Sequence, residues 1–447
     1  MADKRVDVKA RSPWSTLKNT NTVNVSPGEK VLDSTITIPG SKSLTNRALI
    51  LSAMADGSSK ISGILKSDDS YWCIETLKDL GIDIEVQNEI AWVRGNGGEW
   101  HSNDLYIGAA GTIARFLPGA LAVSGEGSWK IEASRSMSKR PVSPLVNALR
   151  EIGADVNYLN NEDYYPLKIK GRKLAGGEVN LSGNISSQYI SGLLIAAPYF
   201  TEPVTINIED YIVQNAYVLL TIDLMKKYGA IIQYDYNLSK IAVSPSKYKA
   251  QDVNLEADAS TACYFLALAA MTNGRIRIAN LTYETKQPDI KMMDILEQMG
   301  CKVTRGDTFI ELEGTHQLRG GFEISMREMS DQALTLAILA VFANGPITIK
   351  DVEHIRYHES DRISVICDSL SKLGIRVEQF KDGLKVYPGT PKPTLLDTHD
   401  DHRVAMSLSL LGSKIEGIQL NDPGCVSKTC PQYFEILERL GLSIRYI

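Results

Sequence analysis

One short signature recurs six times: an apolar residue, two mostly polar ones, another apolar residue, then glycine and an apolar run. It occupies residues 77–81, 149–153, 225–229, 296–300, 370–374 and 437–441. A helix commonly stops by letting the next residue adopt a left-handed backbone, which glycine does without steric cost. The glycines at 81, 153, 229, 300, 374 and 441 lie 72, 76, 71, 74 and 67 residues apart, so the spacing predicts six structural units. Each is followed by a strand-like run such as Ile82-Asp83-Ile84-Glu85-Val86 or Ile375-Arg376-Val377.

Between these helix ends lies a second set of six helices, rich in Ala and Leu, each opened by a polar cluster. The openings are 41–47, 111–115, 186–188, 258–261, 330–331 and 401–403. After most of them comes a turn and a β-branched run, as in Asn273-Gly274-Arg275-Ile276-Arg277-Ile278. Each unit therefore reads strand, buried helix, strand, amphipathic helix, strands. A helix apolar nearly all round belongs inside a domain, with only its polar first turn reaching a surface. A single solenoid of six units would need polar caps, but the chain runs out through Leu442-Ser443-Ile444-Arg445-Tyr446-Ile447. Two closed groups of three are expected instead, one from residues 1–40 with 256–447 and the other from 41–255. The crossings would be at Pro39-Gly40 and near 251–256, and all six polar openings would face one cleft.

The chain of 447 residues is 43% hydrophobic and 23% charged, and no apolar run reaches the roughly 18–20 residues that span a bilayer. Its polar start, with Asp3 and Asp7 among basic residues, resembles neither a signal nor a transit peptide, so a cytoplasmic protein is expected. A net charge of −5 argues against nucleic acid as partner. The scattered cysteines point to reduced thiols. No Walker loop, dinucleotide fingerprint, His-Glu-x-x-His or Gly-x-Ser-x-Gly occurs, and His354, His358, His399 and His402 form no recognisable metal set. Neither metal nor cofactor is expected.

The openings carry Lys42, Arg47, Arg115 and Arg403, and loops add Arg140, Arg362 and Lys428. Helix N-termini favour anions, because their first N–H groups lack internal partners. Seven cations in an acidic protein imply a small polyanionic ligand, although each alone could be a salt-bridged or solvated residue. Carboxylates enter at Asp331 and at Glu359 beside Asp361, where neighbouring cations would tune them for proton transfer. A helix-capping role is the competing account of Asp331.

Eight stretches together resemble, in order and across nearly the whole chain, the EPSP synthase (3-phosphoshikimate 1-carboxyvinyltransferase) family. They are Pro39-Gly40-Ser41-Lys42-Ser43-Leu44-Thr45-Asn46-Arg47-Ala48, Gly111-Thr112 with Arg115, Arg140-Pro141, Ser186-Ser187-Gln188, Asp258-Ala259-Ser260, Glu359-Ser360-Asp361-Arg362, Asp401-His402-Arg403 and Lys428-Thr429. The resemblance implies the α/β two-domain enolpyruvyl-transferase fold, each domain an inside-out α/β barrel of three βαβαββ units about a pseudo-threefold axis. It also implies transfer of the enolpyruvyl group of phosphoenolpyruvate to the 5-hydroxyl of shikimate 3-phosphate, through a tetrahedral ketal phosphate, with release of phosphate.

By the same resemblance Lys42, Ser43, Arg47, Ser186, Ser187, Gln188, Tyr217, Asp331, His354 and His358 would hold shikimate 3-phosphate. Lys42, Gly111, Arg140, Gln188, Arg362, Arg403 and Lys428 would hold phosphoenolpyruvate. Asp331 would take the proton of the 5-hydroxyl, and Glu359, aided by Lys42 or Lys428, would protonate the methylene carbon. The discontinuous domain would thus carry the base and part of the phosphoenolpyruvate site, and the other most of the shikimate 3-phosphate site. A monomer that closes on its ligands and is inhibited by glyphosate in competition with phosphoenolpyruvate is expected.

The chain departs from the family pattern at several positions. The common Asn-Ala-Gly-Thr-Ala-Met-Arg-Pro reads Ala109-Ala110-Gly111-Thr112-Ile113-Ala114-Arg115-Phe116, the usual Lys before Glu359 is His358, and the usual Asn four residues earlier is His354. A Ser-Arg/Lys-Pro-Tyr segment reads Gln214-Asn215-Ala216-Tyr217. These changes bear on affinity, pH dependence and inhibitor sensitivity. Two other readings are a UDP-N-acetylglucosamine enolpyruvyl transferase and a non-catalytic phospho-metabolite binding protein. The first uses a loop cysteine ahead of its Arg-Pro motif, yet no cysteine lies between Cys73 and Cys263; the second has no use for Asp331 and Glu359.

Overall fold

All six signature glycines follow a helix with φ between 83° and 101°. At each, the residue after the glycine donates its N–H to the carbonyl of the signature's first residue. The pairs are Ile82 to Leu77, Ala154 to Leu149, Ala230 to Met225, Cys301 to Leu296, Ile375 to Leu370 and Leu442 to Leu437, all at 2.9–3.1 Å. This six-to-one closure satisfies carbonyls that the helix end would leave bare.

The computed structural model describes residues 7–29 and 31–447; Asp3 and the rest of residues 1–6 lie outside them. The chain divides into two compact units, Gly40–Leu255 and Met1–Pro39 with Glu256–Ile447. The first contains helices α1 (Lys42–Met54), α2 (Asp68–Asp79), α3 (Ile113–Ala122), α4 (Ser143–Glu151), α5 (Ser187–Ala196) and α6 (Ala216–Lys227). The second contains α7 (Ala259–Thr272), α8 (Met292–Gln298), α9 (Ala333–Val341), α10 (Arg362–Lys372), α11 (His402–Ser409) and α12 (Tyr433–Arg439). Every residue of α3, α9 and α11 is buried, whereas their successors α4, α10 and α12 bury one face. In the first unit α3 packs on α1 and α5, and in the second α9 packs on α7 and α11, so odd-numbered helices fill each core.

Each unit has three four-stranded sheets of one topology. In the sheet Gly177–Gly183, Val204–Ile212, Lys240–Ser244, Ile231–Tyr234, the first pair is parallel and the rest antiparallel. The strand before each crossing pairs within its own unit. Asp33–Ile36, which leads into α1, pairs in parallel with Arg275–Ile278 of the second unit's own sheet. Val253–Asn254, which leads into α7, pairs in parallel with Asp56–Ser62 of the first unit. The C-terminal strand Ser443–Tyr446 pairs with the N-terminal strand Thr22–Ser26, which completes the last unit, so no polar cap is needed. Among the described residues no helix is long and apolar enough to cross a membrane, and all six cysteines are buried and free.

Candidate active site

In the Gly40–Leu255 unit the polar cluster lies inside α1, not ahead of it. Ser41 caps the helix, its Oγ accepting from Leu44 N–H at 3.5 Å, so Lys42 and Ser43 form the first turn and Arg47 lies in the second. The helix can begin this early because its polar side chains find partners inside the unit. Thr45 Oγ1 donates to Ser41 O (2.8 Å), and Asn46 Nδ2 donates to Thr112 Oγ1 (2.6 Å), tying the starts of α1 and α3 together.

Arg47 is 1% exposed. Its Nε donates to Thr221 Oγ1 (2.7 Å), Nη1 to Ser43 O (3.0 Å), and Nη2 to Tyr217 O (3.2 Å) and Ser191 Oγ (3.4 Å). Its guanidinium lies 5.0 Å from the Phe116 ring centre and 5.8 Å from that of Tyr217. None of these partners is a carboxylate, and burial pulls its pKa down to about 10, which leaves it charged at neutral pH. Tyr217, in the first turn of α6, thus meets Arg47 with both carbonyl and ring.

Arg115, expected among the ligand-facing cations, is instead turned inward. It donates to Pro141 O (3.0 Å), Gly111 O (3.4 Å) and Met137 Sδ (3.1 Å), and latches the loop that carries Arg140. A Cβ on Gly111 would lie 2.9 Å from Arg140 Nη1, so a glycine there leaves the guanidinium its place. Lys42 Nζ lies 3.7 Å from the buried Asp69 Oδ2. Ser186 caps α5 by accepting from Gln188 N–H (3.2 Å), and Ser187 is buried. Gln188 Oε1 is buried with no hydrogen-bond partner among the described residues, an acceptor that a ligand hydroxyl would satisfy.

In the other unit the carboxylates and cations interlock. Asp331, in the 3-10 turn Arg327–Gln332, accepts from Arg362 Nη1 on Oδ1 and from Arg403 Nη2 on Oδ2, both at 2.8 Å. The residue before α9 is Gln332, so Asp331 does not occupy that helix's N-cap position. Glu359 accepts from Arg362 Nη2 (2.9 Å) and Lys428 Nζ (2.8 Å). Asp401, fully buried, caps α11, and grips Arg362 through Nε (2.8 Å) and Nη2 (3.1 Å). Arg362 Nη1 also lies 3.1 Å from His358 Nδ1, so all five N–H groups of this buried guanidinium are engaged. Burial alone would lower its pKa, but Asp401, Glu359 and Asp331 more than offset that and raise it.

His354 is buried, its Nε2 bonded to Ser330 Oγ (2.7 Å), and burial brings its pKa down to about 4. Burial and then Arg362 push His358 well below the ordinary histidine range. Both rings are neutral at neutral pH, and with Nδ1 accepting from Arg362 the His358 proton sits on Nε2. The chain therefore has one positive charge fewer than a Lys at position 358 would bring.

Sequence reasoning missed Asp401 as the anchor of Arg362, Asp69 beside Lys42, and Tyr264, whose OH accepts from Arg403 Nη1 (3.2 Å). Asp401 was visible as a helix opening and as part of the Asp401-His402-Arg403 stretch, with no sign of its partner, and Asp69 only as acidic charge in the first turn of α2. Tyr264, mid-helix in α7, left no signal. Among the described residues no group of three or more His, Cys, Asp or Glu could hold a metal ion.

A family model for EPSP synthase (3-phosphoshikimate 1-carboxyvinyltransferase) matches residues 27–437. The 3-phosphoshikimate 1-carboxyvinyltransferase 2 of Halalkalibacterium halodurans is 64% identical over 444 residues, 99% of either chain. The 3-phosphoshikimate 1-carboxyvinyltransferase of Trichormus variabilis is 40% identical over 419 residues, 93% of this chain and 98% of its own. Among solved structures, an EPSP synthase from Acinetobacter baumannii matches with a TM-score of 0.81 at 25% identity, covering 96% of this chain and 100% of that one.

Proposed function

This chain belongs to the EPSP synthase family and has its two-domain α/β fold, and on that premise we propose that it transfers the enolpyruvyl group of phosphoenolpyruvate to the 5-hydroxyl of shikimate 3-phosphate. It acts as a cytoplasmic monomer without metal or cofactor. Lys42, Ser43, Arg47, Ser186, Ser187, Gln188 and Tyr217 hold shikimate 3-phosphate, with Asp331, His354 and His358 serving its reacting end. Lys42, Gly111, Arg140, Gln188, Arg362, Arg403 and Lys428 hold phosphoenolpyruvate.

The observation that carries the mechanism is the saturation of Arg362. An incoming carboxylate or phosphate can use this cation only by taking a place that a protein group now fills. Asp401 is fully buried and doubly bonded, and Asp331, 16% exposed, is held by two arginines and kept as the base, so we take Glu359, 11% exposed and bridging Arg362 and Lys428, as the group that yields. Phosphoenolpyruvate then neutralises Arg362 and Lys428 together, and Glu359, having lost two cationic partners, becomes able to carry a proton. It delivers that proton to the methylene carbon of phosphoenolpyruvate, which makes the neighbouring carbon electrophilic. Asp331 accepts the proton of the 5-hydroxyl, and the oxygen attacks that carbon to form the tetrahedral ketal phosphate. Loss of phosphate, with return of a methyl proton, gives the enolpyruvyl ether.

Phosphate release on mixing the protein with both substrates, in chelator-treated buffer, tests this reading. No release with shikimate 3-phosphate would overturn it, as would release dependent on added metal.

A further inference from the structure

The family match begins at residue 27 and the repeats begin with the strand Thr22–Ser26, so the stretch before that strand belongs to no repeat. It nevertheless ends on the two turns that deliver the cations of the second unit. Arg11, its side chain 6% exposed, places Nη2 against the carboxylates of both Asp400 and Asp422, the latter at 2.9 Å. Asp400 directly precedes Asp401, which caps α11 ahead of Arg403 and grips Arg362. Asp422 starts the 3-10 turn Pro423–Lys428, whose last residue is Lys428.

Both carboxylates project from left-handed backbone, with φ of 56° at Asp400 and at the neighbouring His399, and 41° at Asp422. Non-glycine residues keep such conformations only where the surroundings over-determine them. Here the same N-terminal stretch adds further ties. Asn21 O accepts from Asp422 N–H (2.8 Å), and the carbonyl oxygen of Leu17 lies 2.8 Å from where a Cβ on Gly424 would be, so the stretch runs directly against the turn. The two turns are also joined to each other, Thr398 N–H donating to Asn421 Oδ1 at 2.9 Å. Charge points the same way. Burial raises the proton affinity of Asp400, while Arg11 and then Lys428 lower it, so Lys428 and Asp400 interact electrostatically. Without Arg11, an under-neutralised Asp400 would compete with Glu359 and with any incoming anion for Lys428.

We propose that Arg11 is a positioning residue for the phosphoenolpyruvate-binding cations, clamping the turns that carry Arg403 and Lys428 and neutralising the carboxylates behind them. The kinetic half of this claim rests on the function proposed above; the structural half does not.

The test uses full-length protein with Arg11→Met, which keeps the apolar stem, Arg11→Lys, Asp422→Asn and the Arg11→Met/Asp422→Asn double variant. Amide hydrogen exchange without substrate should speed up in Arg11→Met at 398–404 and 423–429 while α9 keeps its protection. Steady-state kinetics should show KM for phosphoenolpyruvate raised about tenfold, KM for shikimate 3-phosphate within about twofold, and part of the loss restored in Arg11→Lys. The rise should shrink at high salt, and the double variant should be no worse than Arg11→Met, because Asp422→Asn removes a contact that Arg11→Met has already broken. Unchanged exchange at both turns, uniform loss of protection, equal shifts in both KM values, or additive effects in the double variant would each overturn the clamp. If wild-type protein turns over neither substrate, the proposed function falls, and hydrogen exchange alone still decides the clamp.

Discussion

Arg47 and Arg362 are both 1% exposed, yet one is held by hydroxyls, carbonyls and ring faces and the other by three carboxylates and a neutral imidazole. Burial acts on both. In the Gly40–Leu255 unit no carboxylate opposes it, Tyr217 offsets only part of it, and the Arg47 pKa falls to about 10; in the other unit Asp401, Glu359 and Asp331 reverse it. A cation solvated only by neutral groups keeps its charge uncompensated, so it gains by meeting an anion. A cation whose donors are all taken can bind an anion only by exchange, and exchange changes the protonation chemistry of whatever is displaced. The first arrangement suits anchoring and the second suits reaction.

The comparison breaks most visibly at the carboxylates. Asp331→Ala should lower kcat by about 10²-fold or more, with weaker shikimate 3-phosphate binding, since general acid–base catalysis is worth that much. Glu359→Gln should lower kcat similarly while shikimate 3-phosphate affinity stays near wild type, and it should slow exchange of solvent deuterium into the methylene group of phosphoenolpyruvate. Near-normal turnover in either variant would assign the proton to Lys42, Lys428 or His358 instead.

A second effect separates the units by pH. His354 is neutral in the folded protein, with a pKa lowered to about 4, whereas an unfolded chain titrates its histidines near 6.5. Above that value neither state binds the proton and the group contributes no pH dependence. Below it the unfolded chain takes up a proton the folded one refuses, so stability falls as pH drops from about 6.5 to 4, by roughly 3 kcal/mol at most. Denaturant melts of His354→Asn against wild type across that range check this; parallel curves would refute it.

Arg47→Met should weaken shikimate 3-phosphate binding by roughly 2 kcal/mol, the scale of lost charged hydrogen bonds, while kcat at saturation changes only a few-fold. Calorimetry and steady-state kinetics on the same preparation decide it. A loss confined to kcat would mean that Arg47 is no mere anchor.

The smallest effect should be the same in both units. Gly153 and Gly441 have φ of 92° and 101°, and a Cβ at either would meet nothing within 4 Å. Gly153→Ala and Gly441→Ala should each cost about 1 kcal/mol by denaturant unfolding, from backbone strain alone. Unequal losses would show that the helix stops depend on their surroundings.

Legibility followed the range of the interactions. The helix stops, the six units and the odd-numbered buried helices were readable because each is decided within a few residues, by a glycine's φ or an apolar run. Lys42, Glu359 and Arg362 stood out for the same reason, since they sit in short motifs, and Asp331 stood out at a helix opening. The burial of the first turns of α1 was not legible, because polar residues 42–47 look unfit for a buried helix until Thr112, Thr221 and Ser191 are known to receive them.

By itself, then, the sequence determined where helices end, how many units there are and which side chains are available, since those depend on backbone strain and local hydrophobic pattern. Only the tertiary structure decided their pairing. Arg362 reaches Asp401 across 39 residues and Arg11 reaches Asp400 across 389, while Asp33–Ile36 adds to the Arg275–Ile278 sheet beyond the crossing. No local signal specifies such partners, because an isolated Arg is equally compatible with solvent, a carbonyl or a carboxylate. The packed backbone selects among them by burying the charge where only one partner is within reach.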